Sequence, residues 1–209
     1  VLDRFQQIEP KVLFAVDGYQ YGGKALDRRA LIADLQSSLP TLQLTVLVPY
    51  LNADATVDGL TNALLWLDAL ERQASDALIF EQVPFDHPLW ILYSSGTTGI
   101  PKAIVQGHGG ILLEHLKALH LGLDLKLDDR IFWYSSTGWM MWNLLIGGLL
   151  IGTTTLLYDG ATNYPDMGAL WKFAQDSGMT CFGTSAGYIT ACMKAGVEPG
   201  NTCDLSKLR

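Results

Sequence analysis

Apolar and polar positions along this chain switch between two periods, and each switch marks a new element. Lys11 to Asp17, KVLFAVD, is a short apolar run of the length of a buried strand. From Ala25 to Leu39 the residues Leu26, Ala30, Ile32, Ala33 and Leu35 return near one helical face, predicting a helix that Pro40 ends. Leu42 to Pro49 reads as the next strand and Asp58 to Gln73 as the next helix, with Asp58 as its cap. PLWILYSS, Pro88 to Ser95, is a strand that runs into a loop rich in glycine and hydroxyls.

Beyond that loop the pattern predicts a helix from about His108 to Leu125 and a strand from Arg130 to Ser136. A glycine-broken helix follows, then a strand from Thr153 to Tyr158. Pro165 to Gly178 reads as helix, MTCFG as strand, and Ala186 to Ala195 as the last helix. This alternation implies an α/β fold of mostly parallel sheets flanked by helices. Sites in such folds gather where strands give way to loops. Two parts are expected, 1–85 and 86–209.

Composition narrows the function. With 209 residues, 49% hydrophobic and 17% charged, the chain has enough apolar surface for a substantial core. Its net charge of −7 repels phosphate backbones, so nucleic acid is excluded as a partner. Cys181, Cys192 and Cys203 form no CxxC pair and have no histidine placed to complete a zinc site, so they read as reduced structural thiols in a cytoplasmic protein. Trp139 to Tyr158 is uncharged and long enough to span a bilayer, but Gly147, Gly148 and Gly152 and the β-branched residues after them favour a buried helix followed by a buried strand. No signal peptide opens the chain, and the missing initiator methionine leads us to expect an internal piece of a longer protein.

Three loops carry candidate chemistry. In DGYQYGGKALD, Gly18, Gly23 and Lys24 fit GxxxxGK, but Ala25 stands where a P-loop needs a magnesium-binding hydroxyl. The plain alternative is a glycine turn with a solvated Lys24. GTSAG, Gly183 to Gly187, fits the elbow of serine hydrolases with Ser185 as nucleophile, yet the last histidine, His120, precedes it. His115 and His120 have no metal-site spacing and read as helix-surface residues.

The third loop, YSSGTTGIPK, points to phosphate. Backbone amides at Gly96 and Gly99, the hydroxyls of Ser94, Ser95, Thr97 and Thr98, and the charge of Lys102 could surround a polyphosphate with donors, while Pro101 stiffens the approach.

YSSGTTGIPKAI resembles the signature phosphate loop of adenylate-forming enzymes, the superfamily of acyl-CoA synthetases, luciferases and peptide-synthetase adenylation domains. Phe132 to Gly160 resembles the aromatic acyl-pocket region of its acetyl-CoA synthetase branch, and TGWMMWN, Thr137 to Asn143, resembles the acetoacetate-using members. CFGTSAGYI fits the same branch. The resemblance spans essentially the whole chain.

It implies part of a large N-terminal AMP-binding domain, with ATP, magnesium and coenzyme A as substrates and cofactor, small molecules as partners, and no membrane insertion. Ser94, Ser95, Gly96, Thr97, Thr98, Gly99 and Lys102 would hold the ATP phosphates. Trp133, Tyr134, Ser135, Gly138 and Trp139 would lie near the acyl group, with Trp139 as the pocket wall and Tyr134 and Ser135 as donors; core packing is the better reading for Trp142, and an alternative for Trp133. Tyr21, Lys24 and Ser185 would meet coenzyme A, Ser185 in the pantetheine tunnel. Relatives carry arginines in the loop matching Tyr21 to Lys24, so a ring here replaces one charge. No magnesium ligand is identified.

The adenine and ribose motifs and the lid with its catalytic lysine do not occur in these 209 residues. The chain alone is therefore expected to be inactive or nearly so, with some apolar surface exposed. Acetyl- or propionyl-CoA synthesis is the alternative within the superfamily. A serine hydrolase and a non-catalytic nucleotide-binding module are the alternatives outside it.

Overall fold

A computed structural model describes residues 1–72, 77–94, 99 and 101–209. The chain divides into two compact units, Val1–Gln82 with Ser94–Ala103, and Val83–Tyr93 with Ile104–Arg209.

The first unit opens with α1 (Leu2–Ile8), then β1 (Val12–Val16), β2 (Gly18–Tyr21), β3 (Lys24–Asp27), α2 (Arg29–Ser38), β4 (Leu44–Val48), β5 (Ala63–Leu65) and α3 (Trp66–Glu71). Strands β1, β4 and β5 form a parallel sheet in the order β1-β4-β5, with Phe14 opposite Val46 and Val46 opposite Leu64. Its core joins Leu13 and Leu47 on the sheet to Ile32 on α2, whose three- and four-residue apolar spacing turns Ile32 and Leu35 inward. The Gln36 side chain holds β5 in place: its Nε2 donates to the Thr45 hydroxyl at 2.8 Å and the Thr61 carbonyl at 2.6 Å, and its Oε1 accepts from the Thr61 N–H at 3.0 Å.

Two expected helices are shorter than the pattern implied. Residues 18–27 form an antiparallel hairpin whose two-residue turn, Gly22 and Gly23, has positive φ at both positions (56° and 77°), as a primed hairpin turn requires. The helix therefore starts only at Arg29, whose N–H donates to the Asp27 carboxylate at 2.8 Å. Lys24 begins a strand rather than a helix, which removes the P-loop reading. Asp58 caps no helix; its carboxylate accepts the Thr56 hydroxyl at 2.7 Å. Left-handed backbone at Gly59 and Asn62 then leads into β5, leaving only Trp66–Glu71 helical.

Strands β6 (Pro88–Ser94) and β7 (Lys102–Gly107) pair with each other. The second unit continues with α4 (His108–Lys117), a π turn at Ala118–Gly122, β8 (Arg130–Trp133), α5 (Met140–Gly147), a 3-10 turn at Gly148–Ile151 and β9 (Thr154–Leu156). It ends with α6 (Ala169–Ser177), β10 (Cys181–Gly183), α7 (Ala186–Lys194) and the single turn α8 (Pro199–Thr202). Its sheet is parallel in the order β10-β8-β9. One core cluster gathers Phe132, Leu156, Leu170, Met179 and Tyr188; a second gathers Leu119, Leu125, Ile131 and Leu145. The fold is thus α/β, with parallel sheets flanked by helices. The apolar run from Trp139 to Tyr158 divides into α5, a 3-10 turn and β9, and among the described residues no helix is long and apolar enough to cross a membrane.

Candidate functional site

The expected phosphate loop leaves the end of one strand and enters the start of another. Ser94 closes β6, Gly99 has a φ of 85°, and Lys102 opens β7 with its side chain exposed. Ser95, Gly96, Thr97 and Thr98 lie outside the described residues. The backbone just before Lys102 is tethered within the first unit, because Gln7 Nε2 donates to the Pro101 carbonyl at 3.0 Å.

The expected acyl-pocket residues start at Trp133, the last residue of β8, and continue past its end. A cavity of about 50 Å³ is walled by Phe132, Trp133, Tyr134, Ser135, Trp142 and Leu145, with Leu156, Leu157 and Tyr158 completing it. Sequence reasoning placed Trp133, Tyr134 and Ser135 near the acyl group, and the fold brings these three together. Gly138 and Trp139 are not among its walls; both are exposed, and Trp139 is the residue before α5, its ring half in solvent. Trp133 and Trp142 pack on the Leu119–Leu145 cluster and also line this cavity.

Hydroxyls here already have partners. Tyr134 donates to the Gly160 carbonyl at 2.9 Å, and the Ser135 hydroxyl donates to the Ser136 carbonyl at 3.1 Å. Replacing Tyr134 by Phe is expected to cost about 1 kcal/mol of stability through loss of that bond, read by urea titration. Unchanged stability in that variant would show that the bond to Gly160 adds nothing to the fold.

Residues expected at coenzyme A occupy two places. Tyr21 and Lys24 face each other across the hairpin turn, Tyr21 half-exposed and Lys24 exposed. Ser185 precedes α7, and its Oγ accepts the Tyr188 N–H at 3.1 Å. That capping bond explains a serine at this position without nucleophilic chemistry.

His115 departs from its expected surface position. It is only 6% exposed, its ring lies 5.7 Å from that of Trp90, and its Nδ1 has no hydrogen-bond partner among the described residues. Burial lowers its pKa below the ordinary histidine value, against the upward pull of Glu114, so the ring is neutral at pH 7. His120 stays exposed on the π turn. The three cysteines are free thiols, and burial raises the pKa of Cys181.

A family model described as AMP-binding enzyme matches residues 2–209. The chain belongs to the AMP-binding enzyme family. Among curated relatives, an acetoacetyl-coenzyme A synthetase of Rhizobium meliloti (strain 1021) is 44% identical over 100% of this chain and 32% of its own length. An acetoacetyl-CoA synthetase of Danio rerio is 39% identical with the same coverage. A solved acetoacetyl-CoA synthetase from Streptomyces lividans superposes with a TM-score of 0.90 at 56% identity, covering 100% of this chain and 31% of that one. The chain thus spans about a third of the length of these AMP-binding relatives.

Sequence reasoning missed the other walls of the cavity. Leu156 and Leu157 read only as strand residues; their sole signal was a place at the end of the strand that pairs with β8.

Proposed function

We propose that the whole protein joins acetoacetate to coenzyme A in two steps. A carboxylate oxygen of acetoacetate attacks the α-phosphorus of ATP and pyrophosphate leaves, giving an acyl-adenylate. The thiol of coenzyme A then attacks the acyl carbon, AMP leaves, and the product is acetoacetyl-CoA. The observation that carries this reading is a run of relatives named acetoacetyl-CoA synthetase that align with the whole chain, among them a curated protein at 44% identity and a solved structure at 56%.

In this reading the chain is part of the large AMP-binding domain of a cytoplasmic enzyme. Ser94, Ser95, Gly96, Thr97, Thr98, Gly99 and Lys102 donate to the ATP phosphates and stabilise the charge that builds as pyrophosphate leaves. Magnesium would accompany the ATP phosphates and help neutralise their charge. Trp133, Tyr134 and Ser135, with Gly138 and Trp139 beyond them, border the acyl group and keep water from it.

Tyr21 stacks on the adenine of coenzyme A, Lys24 pairs with its phosphates, and Ser185 borders the pantetheine arm. Lys24→Ala is expected to raise the coenzyme A requirement about tenfold while acid-dependent exchange of pyrophosphate into ATP stays unchanged. Equal losses in both half-reactions would remove Lys24 from the coenzyme A site. The reading as a whole is tested by that same exchange assay on the full-length protein, compared across short acids.

A further inference from the structure

Gly183 and Trp133 are register partners on β10 and β8, so their side-chain positions lie next to each other on one face of the sheet. The backbone there is fixed, because the Tyr134 N–H donates to the Gly183 carbonyl at 2.9 Å. A β-carbon built on Gly183 would stand 2.1 Å from both Cδ2 and Cε3 of the Trp133 indole, and 2.7 Å from its Cγ. Atoms cannot approach so closely, so the indole occupies the space that any side chain at position 183 would need. Gly183 is buried and its φ is not in the left-handed region, so close approach of the ring, not backbone conformation, accounts for the glycine.

Other sides of the indole decide where it would go if pushed. It packs against the cluster of Leu119, Leu125, Ile131 and Leu145, all of which are at most 2% exposed. Such a core does not yield without cost. The ring also forms a wall of the 50 Å³ cavity shared with Tyr134, Ser135 and Trp142. One water needs only about 10–15 Å³ of such space, so the cavity is small, with room for a few waters or one small group. Displacing the indole into it would close it.

We propose that Gly183 is a positioning residue for acid selection: by carrying no side chain, it seats the Trp133 indole back from the acyl cavity and so sets the length of acid the enzyme accepts. This rests on the acyl-adenylate reading above, and it adds to that reading a determinant on a strand outside the aromatic segment. The bare α-carbon of Gly183 sets the ring, and the ring sets the depth. The consequence is a size filter that one methyl group at position 183 would shift toward shorter acids.

The test uses the full-length enzyme and acid-dependent pyrophosphate exchange with acetoacetate and acetate. Gly183→Ala is expected to raise KM for acetoacetate about tenfold or more, with KM for ATP unchanged and the preference ratio moved toward acetate. Adding Trp133→Leu, which removes the indole from the new methyl group, is expected to restore acetoacetate use. Thermal unfolding of both variants controls for misfolding: general damage would lower the rate with every acid alike and would not be relieved by a second core substitution. An unchanged acid preference in Gly183→Ala overturns the proposal, and so does a uniform loss that Trp133→Leu fails to relieve. If the wild-type enzyme exchanges pyrophosphate with no acid, the functional reading itself fails and takes this proposal with it. An active wild type with an unresponsive Gly183→Ala sinks this proposal alone.

Discussion

Lys102→Ala in the full-length protein is expected to lower acetoacetate-dependent pyrophosphate exchange about 100-fold, the scale seen when one preorganised charge-stabilising donor is removed. Lys102 opens β7 immediately after the tethered Pro101, so its backbone is held while its side chain is exposed. Such a side chain contributes little to the fold, and its removal should change stability by no more than about 0.5 kcal/mol. Rate and stability therefore part company in this variant. Lys102→Arg keeps the charge and should retain more exchange than Lys102→Ala. Full exchange in the alanine variant would take Lys102 out of the phosphate site.

The second large effect is on stability and centres on Asp17, which follows β1. Its carboxylate is 3% exposed and accepts three backbone N–H groups, from Tyr50 at 2.7 Å, Leu51 at 2.8 Å and Asn52 at 2.9 Å. Burial alone would raise its pKa, but these bonds and one from the Gly18 N–H outweigh it, so the value lies below the ordinary 3.8. Asp17→Ala strands three donors at the exit of β4 and is expected to cost about 3 kcal/mol, measured by urea titration at pH 7. Because the folded pKa is the lower one, the carboxylate's stabilisation is complete above the unfolded value and is lost as pH falls through the folded value. Asp129 adds to the same acid sensitivity: burial raises its pKa, but Arg209, the Thr180 hydroxyl and the Lys126 N–H hold it below 3.8. In Asp17→Ala the loss of stability as pH falls through the carboxylate range should be shallower than in the wild type. Equal slopes would show that Asp17 carries no such linkage.

The sequence was most informative where one period ran long enough to decide the element. β1, β4, β6 and β8 are apolar runs, and the structure returns each of them within a few residues of its expected limits. The hairpin at 18–27 was hidden because Ala25, Leu26 and Asp27 continue the helical spacing of Ile32 and Leu35; only the paired glycines at 22 and 23 mark the turn. β5 is three residues long, too short to show a period, and exists because β4 and Gln36 hold it. β7 has no alternation to read, since Lys102, Ala103, Ile104 and Val105 are all exposed.

The candidate site was legible wherever its chemistry lies in consecutive residues. The hydroxyls and glycines of 94–102 and the aromatic segment after β8 could be read directly. Contacts between distant strands could not. Gly183 faces Trp133 only because β10 and β8 pair in parallel, and Gly160 meets the Tyr134 hydroxyl only because the chain returns past β9. His115 looked like a surface residue because its neighbours Glu114 and Leu116 face outward; the Trp90 ring that covers it comes from β6.

The most direct test of the central claim is carboxylate-dependent exchange of pyrophosphate into ATP by the full-length protein, with acetoacetate, acetate, propionate and butyrate compared side by side. The account predicts that exchange requires an acid and is strongest with acetoacetate. Exchange led by another acid would contradict the acetoacetate assignment, and exchange with none of the four would contradict the adenylating reaction itself.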